Sequence, residues 1–526
     1  MQTPSGAPNV SFEPLTPTAF LDRSATVYAE RIAVVDGDQR WTYTQFRDRC
    51  VRQAGMLAAL GVRPGDRVAV LAPNSHLMLE AHYGVAYAGA VLLALNTRLA
   101  AGELRYIVEH ADAKILLAAP ELVDLAVAIT EGSPDRRIVD GGGEYEALLA
   151  QAAPLVVPLS DERTLIALNY TSGTTGRPKG VMYHHRGAYL QALAMANHFH
   201  LTGDTVYLWT LPMFHCNGWC FTWAVTAAGG RHVCLPRVDP GAIWPLFGTE
   251  GITHLCGAPT VLISLINDPQ AAPIAGRSIV AAVGGAPPTP ALLEQCAAVG
   301  LDITHLYGLT ETFGPAVICD WRSEWNELTV AQQAARRALQ GVANVISQRV
   351  RVVDAVGTDV PADGVTLGEI ALRGNNVMLG YYRDAAATAT AVPDGWFRTG
   401  DLGVLHPDGY LQIKDRAKDV IISGGENISS VEVEAALASH PAVLEAAVVA
   451  TPDERWGERP IAFVTLRSGA AATSDELRAH VRERLAHFKV PDRIEFRDLP
   501  KTASGKVRKF ELRRGLSVAP AAGSAQ

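Results

Sequence analysis

The chain has 526 residues, a formal net charge of −8, and 19% charged against 48% hydrophobic residues. That length exceeds what one hydrophobic core usually serves, so at least two domains are expected. The apolar share excludes a disordered chain, and both signs of charge spread along an acidic chain exclude a dedicated nucleic-acid binder, which would carry a basic stripe.

The opening "MQTPSGAPNVSFEPL" has no basic region leading into an apolar run, so no secretory signal is expected. No stretch approaches the roughly 20 apolar residues that cross a bilayer, so no transmembrane segment is expected. A cytoplasmic protein is the simplest reading. "DRVAVLAPNS" reads as a buried strand ending in a turn, and "HLMLEAHYGVAYAGA" as the helix that follows. "GAVLLALNTRL", "AAGELRYIVEHADA" and "KILLAA" repeat the strand–helix–strand order, and "DTVYLWTLPMFH" and "THLCGAPTVLISLI" carry it onward. Such alternation predicts layered α/β structure with largely parallel sheets. Past about residue 345 the texture changes. "RVRVVD", "GEIALRG", "GYLQIKDR" and "DVIISGG" read as short strands between Gly and Asp turns, a smaller β-rich section. From about residue 418, helix–strand pairs in "SSVEVEAALASHPAVLEAAVVA" and "SDELRAHVRERLAHFKVPDRIEF" predict a compact α+β domain. Residues 516–526 read as a disordered tail.

Seven scattered cysteines lack paired spacing and read as reduced, buried thiols. His215, Cys216, Cys220, His232 and Cys234 cluster, but C-x₃-C beside H-x-C is not the paired C-x₂-C of common zinc sites, so no metal is expected there.

The segment "NYTSGTTGRPKGV", Asn169 to Val181, concentrates chemistry. Gly173 and Gly176 allow close backbone approach, and successive amides in a loop form a nest for anions. Thr171, Ser172, Thr174 and Thr175 add hydroxyls, and Lys179 adds a mobile positive charge. The plain alternative is a surface loop, which Ser, Thr and Gly clusters often form. The spacing differs from G-x-x-x-x-G-K-[ST], which disfavours a P-loop kinase or GTPase.

"YTSGTTGRPKGV" resembles the signature of the adenylate-forming acyl-CoA synthetase superfamily, and further segments match that family in the expected order. The family includes short- and medium-chain fatty acid–CoA ligases and methylthio-propionate-type CoA ligases. "VGGAP", with Gly284, Gly285 and Ala286, is similar to its adenine-pocket segment. In "HLYGLTET" the resemblance puts Tyr307 beside adenine and gives Thr310 and Glu311 to the α-phosphate and Mg2+; a carboxylate is the expected hard ligand for that ion. Asp401 in "WFRTGDLG" and Arg416 in "IKDRAKDVI" would serve the ribose, and Lys418 would be the hinge. Gly424, Gly425 and Glu426 would line the pantetheine tunnel after domain rotation, and Lys506 in "LPKTASGKVRK" would be the adenylation lysine.

The resemblance implies a large N-terminal domain, 1–417, of layered αβ subdomains plus a small β-barrel-like subdomain. A small mobile α+β domain follows, 418–515. It implies ATP-dependent acid–CoA ligation with ATP, Mg2+ and CoA: an acid becomes acyl-AMP with release of pyrophosphate, and a thiol then displaces AMP. Transfer of an acyl-adenylate to a carrier protein, and an inactive nucleotide-binding module, are the alternatives; Lys506 and Glu311 together argue against the inactive module. Relatives are often homodimers. His215, Trp219, Gly284 and Gly308 would border the acid. Acetyl-CoA synthetases carry Trp where Gly308 stands, so glycine implies an open pocket. A short- or medium-chain fatty or related apolar acid is expected, with an aryl acid of the cinnamate or benzoate type as the alternative.

Overall fold

The computed structural model describes residues 11–133, 135–171, 177–424, 426–453, 455–502 and 505–518. Six strands form one sheet in the order Arg137–Asp140, Ala113–Ala118, Arg67–Leu71, Val91–Ala94, Leu165–Tyr170, Gly180–His184. All neighbours run parallel except the last pair. The Arg67–Leu71 strand shows why the sequence reads as a continuous apolar run. Val68 and Val70 enter one core with helices Tyr43–Ala59 and His76–Tyr87, while Ala69 and Leu71 enter another with helix Ala101–Ala111. Alternate side chains point to opposite faces, and both faces are covered.

A nine-stranded sheet lies beyond the shared helices. Its order is Val342–Ala343, Gly314–Ile318, Leu301–Leu309, Ile279–Val283, His254–Gly257, Val206–Leu208, Arg231–Cys234, Ile32–Asp36, Gln39–Thr42. The run from Leu301–Leu309 to Ile32–Asp36 is parallel. The first core joins the two sheets through their helices, since it contains Val68, Met78 and Trp209 together. Helices Pro240–Thr249, Pro259–Ile266 and Pro290–Ala298 cover the far face of the second sheet. Each begins with proline, whose missing N–H costs nothing at a first helical position.

The β-rich section is a four-stranded antiparallel sheet of Arg351–Val353, Gly368–Leu372, Phe397–Leu405 and Leu411–Arg416. It shares a core with Tyr307 and Val317 of the nine-stranded sheet. "DVIISGG" does not belong to this group, contrary to the sequence reading. The amides of Asp419 and Val420 donate to the Arg416 carbonyl at 2.9 and 3.1 Å, turning the chain. Ile421–Ser423 then pairs with Glu426–Ile428 and Gly457–Leu466, and Ile421 is buried in a separate core.

That separate core draws its buried residues from between Ile421 and Ile494, so the C-terminal α+β unit carries its own hydrophobic interior. Its sheet also holds Val443–Asp453 and Arg493–Phe496, with helices Ser430–Ala438, Ser474–Arg482 and Lys509–Val518. The last helix corrects the start of the tail: it continues to Val518, and Leu516 packs against the cluster containing Phe463 and Leu512. Residues 519–526 lie outside the described residues. The unit touches the larger part in this arrangement through Arg467 Nη1, which donates to Asn267 Oδ1 at 3.0 Å. The Ser430 amide also donates to Asp415 Oδ2 at 2.5 Å.

Candidate active site

Parallel strands collect ligands at their carboxyl ends, where connecting loops converge. In the nine-stranded sheet those ends carry Trp209–His215, Ala258–Thr260, Gly284–Ala286 and Thr310–Thr312. Two predicted segments and His215 therefore share one rim because the sheet is parallel there.

On one side stands a buried carboxylate. Asp401, 4% exposed, accepts from the Tyr307 hydroxyl through Oδ2 at 2.7 Å and meets Arg416 Nε through Oδ1 at 3.2 Å. Burial first, and the Asp401 charge second, push the Tyr307 phenol well above its ordinary range, so it stays a neutral donor. An ionised carboxylate offers about four acceptor positions, so two remain for hydroxyls of a ligand.

A second group lies at the end of the Leu301–Leu309 strand. Tyr183 donates to the Thr310 carbonyl at 2.6 Å and stacks on Phe313 with ring centroids 3.8 Å apart. Tyr381 donates to Glu311 Oε1 at 2.8 Å, and Lys179 Nζ sits 4.8 Å from the centre of the Tyr381 ring. A tyrosine that the sequence reading did not single out thus links the loop cation to the acidic residue. Nothing in "LGYYRD" marks it, because its importance comes from the fold bringing it to Glu311. The loop itself closes a hairpin: Thr171 N donates to the Lys179 carbonyl at 3.0 Å, and Lys179 N to Thr171 Oγ1 at 3.3 Å. Ser172, Gly173, Thr174, Thr175, Gly176 and Gly425 lie outside the described residues. The donor set suits Mg2+, which takes one or two carboxylates and fills its sphere with water and substrate phosphates. Glu311 is such a carboxylate, with one oxygen engaged by a neutral phenol rather than by a competing cation.

The third group spans the two parts of the chain. Lys506 comes within electrostatic reach of His215, Arg416, Lys418, Asp401 and Asp419. Burial, then Arg416, pulls its ammonium down to about 8, against the opposing pull of Asp401 and Asp419. Burial, then the Lys506 charge, lowers His215 to about 4, so the imidazole is neutral at ordinary pH. His215 is held from behind by Asn169, whose Nδ2 donates to the Phe214 carbonyl at 2.8 Å. The loop bearing Lys506 presses on the larger part: a Cβ on Gly505 would stand 2.2 Å from Thr260 Oγ1. Gly424 is not part of this cluster; its amide donates to the Trp456 carbonyl at 2.7 Å, within the C-terminal unit. Glu426 is exposed at the start of its strand, and Lys418 is exposed in the turn after Arg416.

Gly308, expected beside the acid, also lies at a close approach of two strands. A Cβ there would lie 2.0 Å from the Gly314 carbonyl oxygen, across the irregular pairing of Leu301–Leu309 with Gly314–Ile318. In this arrangement a side chain at 308 would force the facing strand to shift.

His215 opens a left-handed turn. Cys216, Asn217, Gly218, Trp219 and Cys220 have φ of 43, 46, 59, 51 and 63°. Left-handed backbone costs about 1–2 kcal/mol for each residue bearing a Cβ, so packing must hold this turn. The histidine and cysteine cluster is spent on such packing. His232 accepts from Trp209 Nε1 at 3.1 Å and pairs with Thr226 Oγ1 at 3.0 Å, while Cys220 Sγ reaches the Phe313 carbonyl at 3.8 Å.

Residues 21–382 match the family of AMP-binding enzymes, and residues 432–506 match the AMP-binding enzyme C-terminal domain. The chain is 44% identical to the 2-methylpropanoate–CoA ligase of Humulus lupulus, covering 98% of each chain. It is 42% identical to the peroxisomal acetate/butyrate–CoA ligase of Arabidopsis thaliana, over 96% of this chain and 95% of the relative. Among solved structures it superposes on the anthranilate CoA ligase AuaEII in complex with anthranoyl-AMP. The TM-score is 0.86 at 25% identity, with 98% of this chain and 99% of that chain covered.

Proposed function

The chain belongs to the family of AMP-binding enzymes, and from that membership we propose that it activates a short- or medium-chain aliphatic acid for transfer to CoA. It is an ATP-dependent, AMP-forming acid–CoA ligase. The observation that carries the adenylation step is the seating of the Lys506 loop on the larger part, with Gly505 against Thr260 and Lys506 within electrostatic reach of His215 and of the Asp401–Arg416 pair.

A carboxylate is a poor electrophile because oxide cannot leave. Attack on the α-phosphate of ATP makes the mixed anhydride acyl-AMP and expels pyrophosphate. Charge builds on the α-phosphate and on the leaving oxygens, so positioning and fixed charge do most of the work. In this reading the Lys506 ammonium bridges the acid carboxylate and the α-phosphate, and neutral His215 borders that carboxylate without repelling the lysine. Asp401 takes the ribose hydroxyls with support from Arg416, Tyr307 flanks adenine, and Gly284–Ala286 form its backbone floor. Glu311, with Thr310, would hold Mg2+, which when bound neutralises phosphate charge. Thr171 and Lys179, with the loop between them, hold the departing pyrophosphate.

The thiol step needs different groups at the same carbonyl. Rotation about Lys418, at the boundary between 1–417 and a C-terminal domain from 418, would withdraw Lys506 and bring Gly424–Glu426 to the site as the wall of the pantetheine tunnel. The separate core of the C-terminal unit supports such rigid-body motion.

Small aliphatic acids are the favoured substrates because relatives over 40% identical act on 2-methylpropanoate and on acetate or butyrate. An aryl acid is the second reading, supported by the likeness to the anthranilate ligase. Among the described residues no helix is long and apolar enough to cross a membrane. Seven buried free thiols fit a reducing compartment such as the cytoplasm. The reading admits a homodimer, which light scattering of the purified chain decides. ATP–pyrophosphate exchange over acids of graded length and aromaticity, followed by CoA with mass detection of the thioester, tests the whole scheme. Absence of exchange with every acid overturns it.

A further inference from the structure

Tyr381 meets two opposite charges through different parts of its side chain. Its hydroxyl donates to Glu311 Oε1 at 2.8 Å, and Lys179 Nζ stands 4.8 Å from the centre of its ring. Among the described residues no ion pair joins Lys179 to Glu311. An aromatic face attracts a cation, and a phenol hydroxyl is a neutral donor to a carboxylate, so one side chain can engage both charges without cancelling either.

Backbone contacts hold this phenol in place. Residues 378–382 run beside the strand Gly180–His184. The Tyr382 amide donates to the Gly180 carbonyl at 2.7 Å, the Met182 amide to the Gly380 carbonyl at 3.1 Å, and the Leu379 amide to the Met182 carbonyl at 3.0 Å. Lys179 directly precedes that strand, so the ladder that places Tyr381 also places the lysine. At the other end the Met378 amide donates to the Glu311 carbonyl at 2.9 Å, tying the same stretch to the backbone of the acid. The Tyr381 amide donates to Thr388 Oγ1 at 2.9 Å, on the helix Ala385–Ala391. That helix packs so near that a Cβ on Gly380, where φ is +141°, would stand 2.8 Å from Thr388 Cγ2. One short stretch of chain therefore fixes the lysine, the phenol and the acid relative to one another.

We propose that Tyr381 is a positioning residue that keeps the Lys179 ammonium and the Glu311 carboxylate from neutralising each other. The ammonium then stays available to the polyphosphate of ATP, and the carboxylate, with one oxygen held by the phenol, to the divalent cation that accompanies it. Without the ring, attraction between the two charges at this partly buried place would draw the lysine onto the acid. The inference rests on the acid–CoA ligase reading for the identity of the nucleotide, and goes beyond it in giving Tyr381 a task.

The test is the dissociation constant for ATP, by isothermal titration calorimetry of the whole chain without acid or CoA, once in EDTA and once in excess MgCl2. The ratio of the two constants is the gain from Mg2+. Tyr381→Phe keeps the ring and drops the hydroxyl, so the Mg2+ gain should fall roughly fivefold, the scale of one hydrogen bond, while binding in EDTA keeps its wild-type value. Tyr381→Leu drops both, so the gain should fall roughly tenfold or more, and binding in EDTA should weaken as Lys179 turns to Glu311. Adding Lys179→Met to Tyr381→Leu should return the Mg2+ gain at least to the Tyr381→Phe level, a coupling that a merely structural role would not produce. A Tyr381→Leu variant that loses ATP equally with and without Mg2+ overturns the inference, as does a gain that Lys179→Met leaves unrestored. If Tyr381→Leu does not fold, Tyr381→Phe decides, and an unchanged Mg2+ gain overturns the inference. A wild type that binds no ATP in either condition overturns the ligase reading, and this inference with it.

Discussion

Asp401 and Arg416 are register partners in adjacent antiparallel strands, and their side chains meet at 3.2 Å while Tyr307 takes the second carboxylate oxygen at 2.7 Å. Three elements thus fix one buried charge, and the charge has acceptor capacity to spare. Asp401→Asn keeps the shape and removes the charge. Hydrogen bonds to charged groups are worth about 1.5–3 kcal/mol, so the KM for ATP should rise about 10- to 100-fold with little change in the melting temperature. A KM for ATP that stays at the wild-type value removes Asp401 from nucleotide binding.

Lys506→Ala should slow ATP–pyrophosphate exchange by about 100- to 1,000-fold, the usual effect of losing one fixed charge at a developing anion. Consumption of supplied acyl-AMP by CoA should continue near the wild-type rate, because the second half-reaction does not use this ammonium. Equal loss in both assays counts against the division of labour.

The same lysine should shape the pH profile. Burial and Arg416 lower its pKa to about 8, so the charged form, which is the active one, is lost as pH rises through that value. The kcat/KM for adenylation should therefore be level near pH 7 and fall above about pH 8. His215, lowered to about 4, should add no inflection between pH 5 and 7. Lys506→Arg keeps its charge throughout, and its slower reaction should stay level to pH 9.5; a drop at the same pH in this variant assigns the titration to another group.

Gly505 has φ +82°, and a Cβ there would stand 2.2 Å from Thr260 Oγ1. Gly505→Ala should keep the C-terminal unit from seating and slow adenylation roughly tenfold or more, the scale of overpacking a tight contact. Thioester formation from supplied acyl-AMP should be spared. Adding Thr260→Ala should restore part of the first half-reaction, and no restoration shows that the contact is incidental.

Lys418 sits exposed in a turn whose neighbouring amides are engaged: Ala417 with Gly400, and Asp419 and Val420 with Arg416. Lys418→Pro stiffens this point. Adenylation should persist while thioester formation collapses, the reverse of Lys506→Ala. Rapid quench in a single turnover would read this as acyl-AMP that accumulates, and unchanged thioester formation argues against a pivot here.

Residue types and spacing alone were enough for the α/β class and for the strand–helix order through residue 266, and they marked Thr171 to Lys179 as a candidate anion loop. Buried parallel strands, turns and anion nests each leave a local pattern, because their physics acts between near neighbours in the chain. The close approach at Gly308 was not legible, since it involves the Gly314 carbonyl across a strand pair. Tyr381 was invisible for the same kind of reason, as it matters through Glu311. The left-handed turn from Cys216 to Cys220 opposes what four of its five residues prefer, and only His82, Thr222 and the packed sheet ends explain it. The sequence by itself determined which chemical groups the protein owns. Tertiary structure decided which of them come together, because the charge of the Lys506 ammonium is felt by the His215 imidazole of a distant segment only once folding has removed the water between them.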